Sequence, residues 1–306
     1  MASMSTVTGR YFNTINTLTA DCPTSVLQTA LERCAYFENL LSKTIPGSDV
    51  WRANHAAGQP IRISAPLQQI LRVALDVNLW SDGAFNVALG AVTALWQFTS
   101  GSPRIPTPEE LQVAVCSIDN HFIHLEEDML FLPDGMQLDL GGIAKGYIAD
   151  QIADEMRNQG VASAMLNFGG NVVTVGCKPD GNPWSIGLQA PYLEPGKAIF
   201  AALPCVDGTV VTSGVYERGF NQDGKRYHHL LDPRTGLPVE NEVLAVTLLG
   251  KDSLLADAVS TACFVLGPEK GLPLALHYGL SAIYLFNGGK VRYTRSMPIQ
   301  FAAESG

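Results

Sequence analysis

The chain has 306 residues, of which 46% are apolar and 16% charged, and its net charge is −9, which marks a globular protein able to bury a sizeable core. The acidic balance argues against nonspecific binding to nucleic acid or to anionic membrane surfaces, both of which attract basic patches; it leaves room for a small anion held locally by backbone N–H groups and a metal. No window reaches the apolar length of a membrane span.

Cys22, Cys34, Cys116, Cys177, Cys205 and Cys263 are scattered, with no C-x-x-C pair, so packed free thiols in a reducing compartment are expected. The opening residues lack a basic segment followed by an apolar run, and a cytoplasmic location is the expectation. The one reservation is that the first three residues, "MAS", are also compatible with an exported parent whose leader was removed. Length permits one domain, with no linker separating independent units, although two intimate lobes with a cleft between them fit as well.

In chain order, "RYFNTINTLTA" reads as a first strand, and apolar residues at spacings of three and four predict a helix over 24–44. A second helix is expected from Ala65 to Trp80, and the apolar run "GAFNVALGAVTALWQF" has helical character. Thr107, Pro108 and Glu110 form a capping box for a short helix ending near Val115. Strands "HFIHL" and "DMLFL" flank a turn at Glu126 and Glu127, and a helix carrying Ile148, Ile152 and Met156 closes at Gly160. Short strands follow around "SAMLNF", "NVVTVG", "WSIGL", "AIFAAL" and "TVVTS". The chain ends with strand "VLAVTLLG", helix "SLLADAVSTACFVLG", another helix after Pro268, and a hairpin through "SAIYLF" and "VRYTR". Short-connected strands interrupted by helices predict an α+β fold with mixed, largely antiparallel sheets.

Several stretches could carry chemistry. In "LDLGGIAKGYIAD" Gly141, Gly142 and Lys145 stand where a helix begins, and the unpaired N–H groups of a first helical turn attract anions. A plain strand-to-helix turn explains the same residues, because the stretch is neither a Walker loop nor G-x-G-x-x-G. Helix 254–266 is apolar on almost every face yet holds Asp257, with Thr261 one turn on; an oxygen pair of that kind suits Mg²⁺. The competing reading places Asp257 in a favourable first turn and lets Thr261 bond back to a carbonyl. "HHLLDPRTG" offers His229 and Asp232 in a passage that Pro233 and Gly236 explain as a turn. His228 and His229 would face opposite sides of a strand, so only one can enter a site. "NFGGN" and "TSGVYERGF" add glycine-bearing loops.

In this order, "LDLGGIAKGYIAD", "LNFGGN", "VTSGVYERGF", "YHHLLDPRTGLP" and "LLADAVSTACFVLG" resemble the FAD:protein FMN transferase (ApbE) family, and the likeness extends upstream through "ENLLSKTIPGSDVWRAN" and "DGAFNVALGAVTALW". The resemblance implies an ApbE-like, T-fold-related architecture that binds FAD with Mg²⁺ at its pyrophosphate. It implies transfer of the FMN half to a Ser or Thr hydroxyl of an acceptor protein, with release of AMP. By motif position, Asp257, Thr261 and the carbonyl of Ala144 would hold the metal. His229 and Asp257 would serve catalysis, while Asp139, Gly141, Gly142, Lys145, Thr212, Ser213, Gly214 and Asp232 would line the FAD site. Some members of the family carry an aromatic ring near the position of Thr44, which this chain lacks. Two further functions remain compatible with the same residues: hydrolysis of FAD to FMN and AMP, and non-catalytic carriage of FAD.

Overall fold

The computed structural model describes residues 4–98, 102–190 and 199–302; "MAS" and Ala198, the first residue of "AIFAAL", lie outside them. The chain starts with a hairpin, β1 (Ser5–Tyr11) and β2 (Thr14–Ala20), rather than one strand. Phe12 and Asn13 between them take φ of 55° and 58°, the paired left-handed conformations of a tight hairpin turn. Helices α1 (Thr24–Leu41) and α2 (Asp49–Asn54), strand β3 (Ile61–Arg62) and helix α3 (Ala65–Trp80) follow. α1 stops three residues short of the expected end because Ser42 turns extended, and this releases Lys43 and Thr44 from the helix. Of the apolar run 83–98 only α4 (Gly90–Trp96) is helical, since Gly83 adopts φ +76° and Asn86 Oδ1 takes the N–H of Ala88.

Next come α5 (Pro108–Val115), with its capping box formed, β4 (His124–Glu126), β5 (Met129–Phe131) and α6 (Ala144–Asn158). Strands β6 (Ala164–Phe168), β7 (Asn171–Val175), β8 (Trp184–Gln189), β9 (Ile199–Cys205) and β10 (Thr209–Gly214) occupy the expected runs. A further hairpin, β11 (Gly219–Gln222) and β12 (Lys225–His228), turns at Asp223-Gly224, a pair whose hairpin signal lay in the sequence. The chain closes with β13 (Val243–Gly250), α7 (Ser253–His277), β14 (Ser281–Phe286), β15 (Val291–Tyr293) and β16 (Gln300–Phe301). α7 is two helical segments broken at Gly267, whose φ of +70° and the missing N–H of Pro268 interrupt the ladder.

One eight-stranded sheet, in the order β1-β2-β6-β7-β10-β13-β14-β15, organises the molecule, and every pairing in it is antiparallel. The two faces of this sheet are covered differently, as alternation along β10 shows. Val211 joins the main core, where Ile148 and Ile152 of α6 and Val259 and Phe264 of α7 meet Leu18, Leu166 and Val246. Its neighbour Val210 points the other way, into a smaller cluster with Trp184, Ile186 and Leu203 of the sheet β16-β9-β8. Such a helix-covered antiparallel sheet is the α+β arrangement expected from the sequence. No described helix is long and apolar enough to cross a membrane.

Candidate active site

The site grows from the turn before α6. Leu140 O accepts the N–H of Ile143 at 3.1 Å and of Ala144 at 2.9 Å, which winds the chain into the helix. Asp139 braces the turn: its Oδ1 accepts the Gly141 N–H at 2.9 Å, and its Oδ2 takes Lys43 Nζ and Thr93 Oγ1, each at 2.6 Å. Burial would raise this carboxyl, but the Lys43 charge and these donors outweigh it and hold its pKa at about 2.

α7 crosses the start of α6 at a distance only glycine permits. A Cβ on Gly146 would lie 2.1 Å from Ser253 O, and one on Gly142 would lie 3.1 Å from Thr261 Oγ1. This close crossing brings Asp257, 2% exposed, onto the turn. Asp257 Oδ2 accepts the Gly146 N–H at 3.0 Å, whereas Oδ1 stands 3.6 Å from Lys145 Nζ, beyond a good hydrogen bond. Thr261 Oγ1 is 3.4 Å from the Asp257 carbonyl, a long back-bond that leaves the hydroxyl lone pairs available. The anticipated back-bond is present, and both side chains border the same cavity.

These groups line one cavity of about 540 Å³, together with Asp139, Gly141, Gly142, Ala144, Thr212, Ser213 and His229. Ser213 Oγ is tied to Ser260 Oγ at 2.8 Å and Thr212 Oγ1 to Thr247 Oγ1 at 2.8 Å, so α7 and the sheet fix both hydroxyls. Thr44 reaches the cavity beside Phe12, Phe37, Phe85 and Phe98, which supply aromatic surface in a region where Thr44 itself offers none. Of the residues singled out in the sequence, Gly214 and Asp232 do not line this cavity. Gly214 is packed under the Tyr216 ring, and Asp232 binds the main chain and guanidinium of Arg234 while Gly236 hands its carbonyl to Trp96 Nε1. The turn reading thus accounts for Asp232.

His229 Nδ1 lies 3.1 Å from the carbonyl of Arg218 and must donate to it, which leaves Nε2 as the lone-pair nitrogen of the neutral ring. Burial, against the pull of that hydrogen bond and with the aid of the Arg218 and Lys145 cations, brings its pKa down to about 3. His228, by contrast, is buried edge-on to Phe264 with Nε2 donating to Val239 O.

Sequence reasoning missed Lys43, Thr93, Gly146, Glu217 and Arg218. A glycine within the first turn of a helix was the available signal for Gly146. Glu217 borders the cavity, and partial desolvation there pushes its carboxyl up to about 7 despite Lys145 and Arg218 nearby. Among the described residues no three His, Cys, Asp or Glu side chains gather as a metal cluster. The oxygens that border the cavity are of another kind: the Asp257 carboxylate and the Thr261 hydroxyl, hard donors of the type Mg²⁺ takes, with Ala144 of the turn lining the same space.

The sequence model of the ApbE family matches residues 5–284. The chain belongs to the ApbE family. A Klebsiella pneumoniae protein named FAD:protein FMN transferase is 41% identical over 239 residues, which are 77% of this chain and 73% of that protein. A Treponema pallidum protein of the same name is 36% identical over 273 residues, 83% of this chain and 75% of the relative. Among solved structures, the ApbE protein of Thermotoga maritima superposes with a TM-score of 0.89 at 27% identity, covering 96% of this chain and 97% of its own. The Pseudomonas stutzeri flavinyl transferase ApbE, in its apo form, gives a TM-score of 0.82 at 30% identity, covering 95% and 94%. The fold described above is thus shared over nearly the whole length of both solved structures.

Proposed function

We propose that this chain is an FAD:protein FMN transferase that uses the cavity around Asp257 to move the FMN half of FAD onto a Ser or Thr hydroxyl of an acceptor protein, releasing AMP. The observation that carries the reading is a buried carboxylate with one committed and one uncommitted oxygen, set on an apolar helix against a glycine turn, a lysine and a neutral histidine. A carboxylate so placed needs a cation, and Lys145 at 3.6 Å supplies only part of that need.

Asp257 Oδ1, Thr261 Oγ1 and the Ala144 carbonyl would hold Mg²⁺. The ion, when bound, would withdraw charge from the diphosphate of FAD. Lys145 adds a fixed positive charge at the same diphosphate, and Gly141 and Gly142 let main chain approach the phosphates where a side chain would intrude. Ser213, immobilised by Ser260, offers a hydroxyl along the FAD cleft, and Thr212, whose side chain faces the other side of the sheet, borders the cleft where the two cavities meet. His229 acts through Nε2: the acceptor hydroxyl oxygen bonds to the FMN phosphorus, its proton passes to Nε2, and the bond to the AMP oxygen breaks with its electron pair leaving on AMP. The Arg218 carbonyl fixes the tautomer that this step requires.

Incubation with FAD, Mg²⁺ and an acceptor protein, read by mass spectrometry, tests the reading. Covalent FMN on a Ser or Thr together with AMP supports transfer. AMP with free FMN alone would make the chain an FAD pyrophosphatase, and FAD retained without AMP would make it a carrier.

A further inference from the structure

A second cavity, of about 660 Å³, lies on the opposite face of the large sheet and adjoins the first, sharing Asn13, Lys145, Thr212, Glu217 and Arg218 with it. Its floor is the face of the sheet, to which strands contribute alternate residues: Met165 and Asn167 of β6, Val210 and Thr212 of β10, Ala245 and Thr247 of β13. β8 behaves differently. Ser185, Ile186, Gly187, Leu188 and Gln189 all line the cavity in succession. A strand seen face-on can offer only every second side chain, so the cavity meets β8 along its edge.

That edge is unpaired, because β8 ends the order β16-β9-β8 among the described residues. The hydrogen-bond phase of the ladder identifies the free groups. Phe200 O accepts from Ala302 N at 2.9 Å, so the even-numbered residues of β9 turn toward β16. Pro204, which has no N–H to give, stands opposite Ser185, and Ala202 stands opposite Gly187. Ser185 and Gly187 are therefore the non-hydrogen-bonded members of the ladder, and their N–H and C=O groups point into the cavity.

We infer that the β8 edge is the docking strand for the acceptor protein: an extended segment of the acceptor pairs with Ser185 and Gly187 and carries its Ser or Thr hydroxyl to the junction at Lys145, Thr212, Glu217 and Arg218. Strand addition suits an enzyme that must modify a hydroxyl in an extended segment, since main-chain pairing sets the distance the segment reaches while leaving its side chains free. The continuity of the two cavities supplies the direction of approach. This inference rests on the transfer reading, and its test separates the two.

The probe is a pool of synthetic peptides about ten residues long, each with one central threonine between varied neighbours. Peptides that acquire FMN from wild-type enzyme, FAD and Mg²⁺ are identified by mass spectrometry and assayed singly. Ser185→Pro and Gly187→Pro each remove one edge N–H, proline being tolerated on an edge strand; at Gly187 the added ring displaces the exposed Ile199 side chain, which a Cβ there would meet at 2.6 Å. Each is expected to raise the peptide KM roughly tenfold, with FAD affinity and peptide-free AMP release unchanged. Hydrogen exchange on the wild-type enzyme gives an independent readout: the Ser185 and Gly187 amides become protected when peptide is added. Unchanged KM in both variants, or a loss of FAD affinity equal to the loss in transfer, overturns the docking strand. If no peptide acquires FMN while AMP appears, the transfer reading fails, and exchange decides the edge separately: protection by the pool sustains a peptide site, and its absence removes one.

Discussion

Asp139 and Asp257 stand on either side of the same glycine turn, each with a lysine for a neighbour, yet their oxygens are used in opposite ways. Asp139 is saturated: Lys43, Thr93 and the Gly141 amide occupy its lone pairs, two of them at 2.6 Å and one at 2.9 Å. Asp257 is more deeply buried and less satisfied, with the Gly146 amide at 3.0 Å on one oxygen and Lys145 held off at 3.6 Å from the other. A buried carboxylate with spare lone pairs is costly unless something arrives to fill them. The contrast separates a carboxylate that shapes the turn from one that awaits a ligand, and burial alone would have ranked the two without telling them apart.

The strongest way to break this contrast is Asp257→Asn, which keeps an acceptor for Gly146 and the side-chain shape while removing the charge. On our proposal it folds with a melting temperature near that of the wild type and loses metal-dependent AMP release by at least about a thousandfold. Unchanged turnover in Mg²⁺ would place Asp257 with Asp139, among the shaping residues. A somewhat smaller loss, about a hundredfold or more, is expected in the transfer rate of His229→Gln, with FAD affinity retained. The histidine itself can be followed without activity: its pKa of about 3 means that its ring resonances in the free enzyme stay those of a neutral imidazole throughout pH 5–8. Titration of that ring near pH 6.5 would remove the electrostatic account given for it.

How much of this was legible beforehand depends on how local the determining forces are. The capping box at Thr107 and Glu110 and the bounds of the helix Ala65–Trp80 follow from neighbours a few residues apart, and they were readable as they stand. Asp257 was visible as a polar anomaly in an apolar helix. The hairpin at Phe12-Asn13 was not: Asn13 readily takes the left-handed conformation, but Phe12 before it does not, and no glycine follows to mark the turn. The partner of Asp139 was also hidden, since Lys43 lies 96 residues away and reaches it only because α1 ends early. Gly146 looked like an ordinary helical glycine until α7 was seen to pass against it.

Removing Asp139 sharpens the comparison from the other side. Its carboxyl falls from an ordinary 3.8 to about 2, so it contributes stability that is present above the ordinary value and is lost as pH falls through the folded one. With Lys43 one-third exposed, that contribution is on the order of 1–2 kcal/mol. Asp139→Ala should therefore be less stable than the wild type at pH 7 by about that amount. Denaturant midpoints measured between pH 2 and pH 5 should show the difference shrinking toward the acid end. A difference independent of pH would mean that lost packing, and not the carboxylate charge, governs the turn.

The smallest effect belongs to a third carboxylate, Asp150, which tests whether main-chain hydrogen bonds to one oxygen are enough to mark a shaping residue. Its Oδ2 accepts the N–H groups of Ser253 and Leu254, both at 2.9 Å, so a side chain from α6 caps the start of α7, supplementing the cap from Asp252. Asp150→Ala strips two first-turn amides of their acceptor and should lower stability by about 1 kcal/mol, seen as a fall of a few degrees in melting temperature. Asp150→Asn retains an oxygen for those amides and should recover most of the loss. Because α7 also carries Asp257 and Thr261, fraying of its first turn could reach the cavity; the comparison requires that it does not, and that FAD affinity of the alanine variant stays within about twofold of wild type. A tenfold drop would mean that this cap positions the ligand-binding carboxylate as well as the helix, and that the division between shaping and binding acids runs through α7 itself.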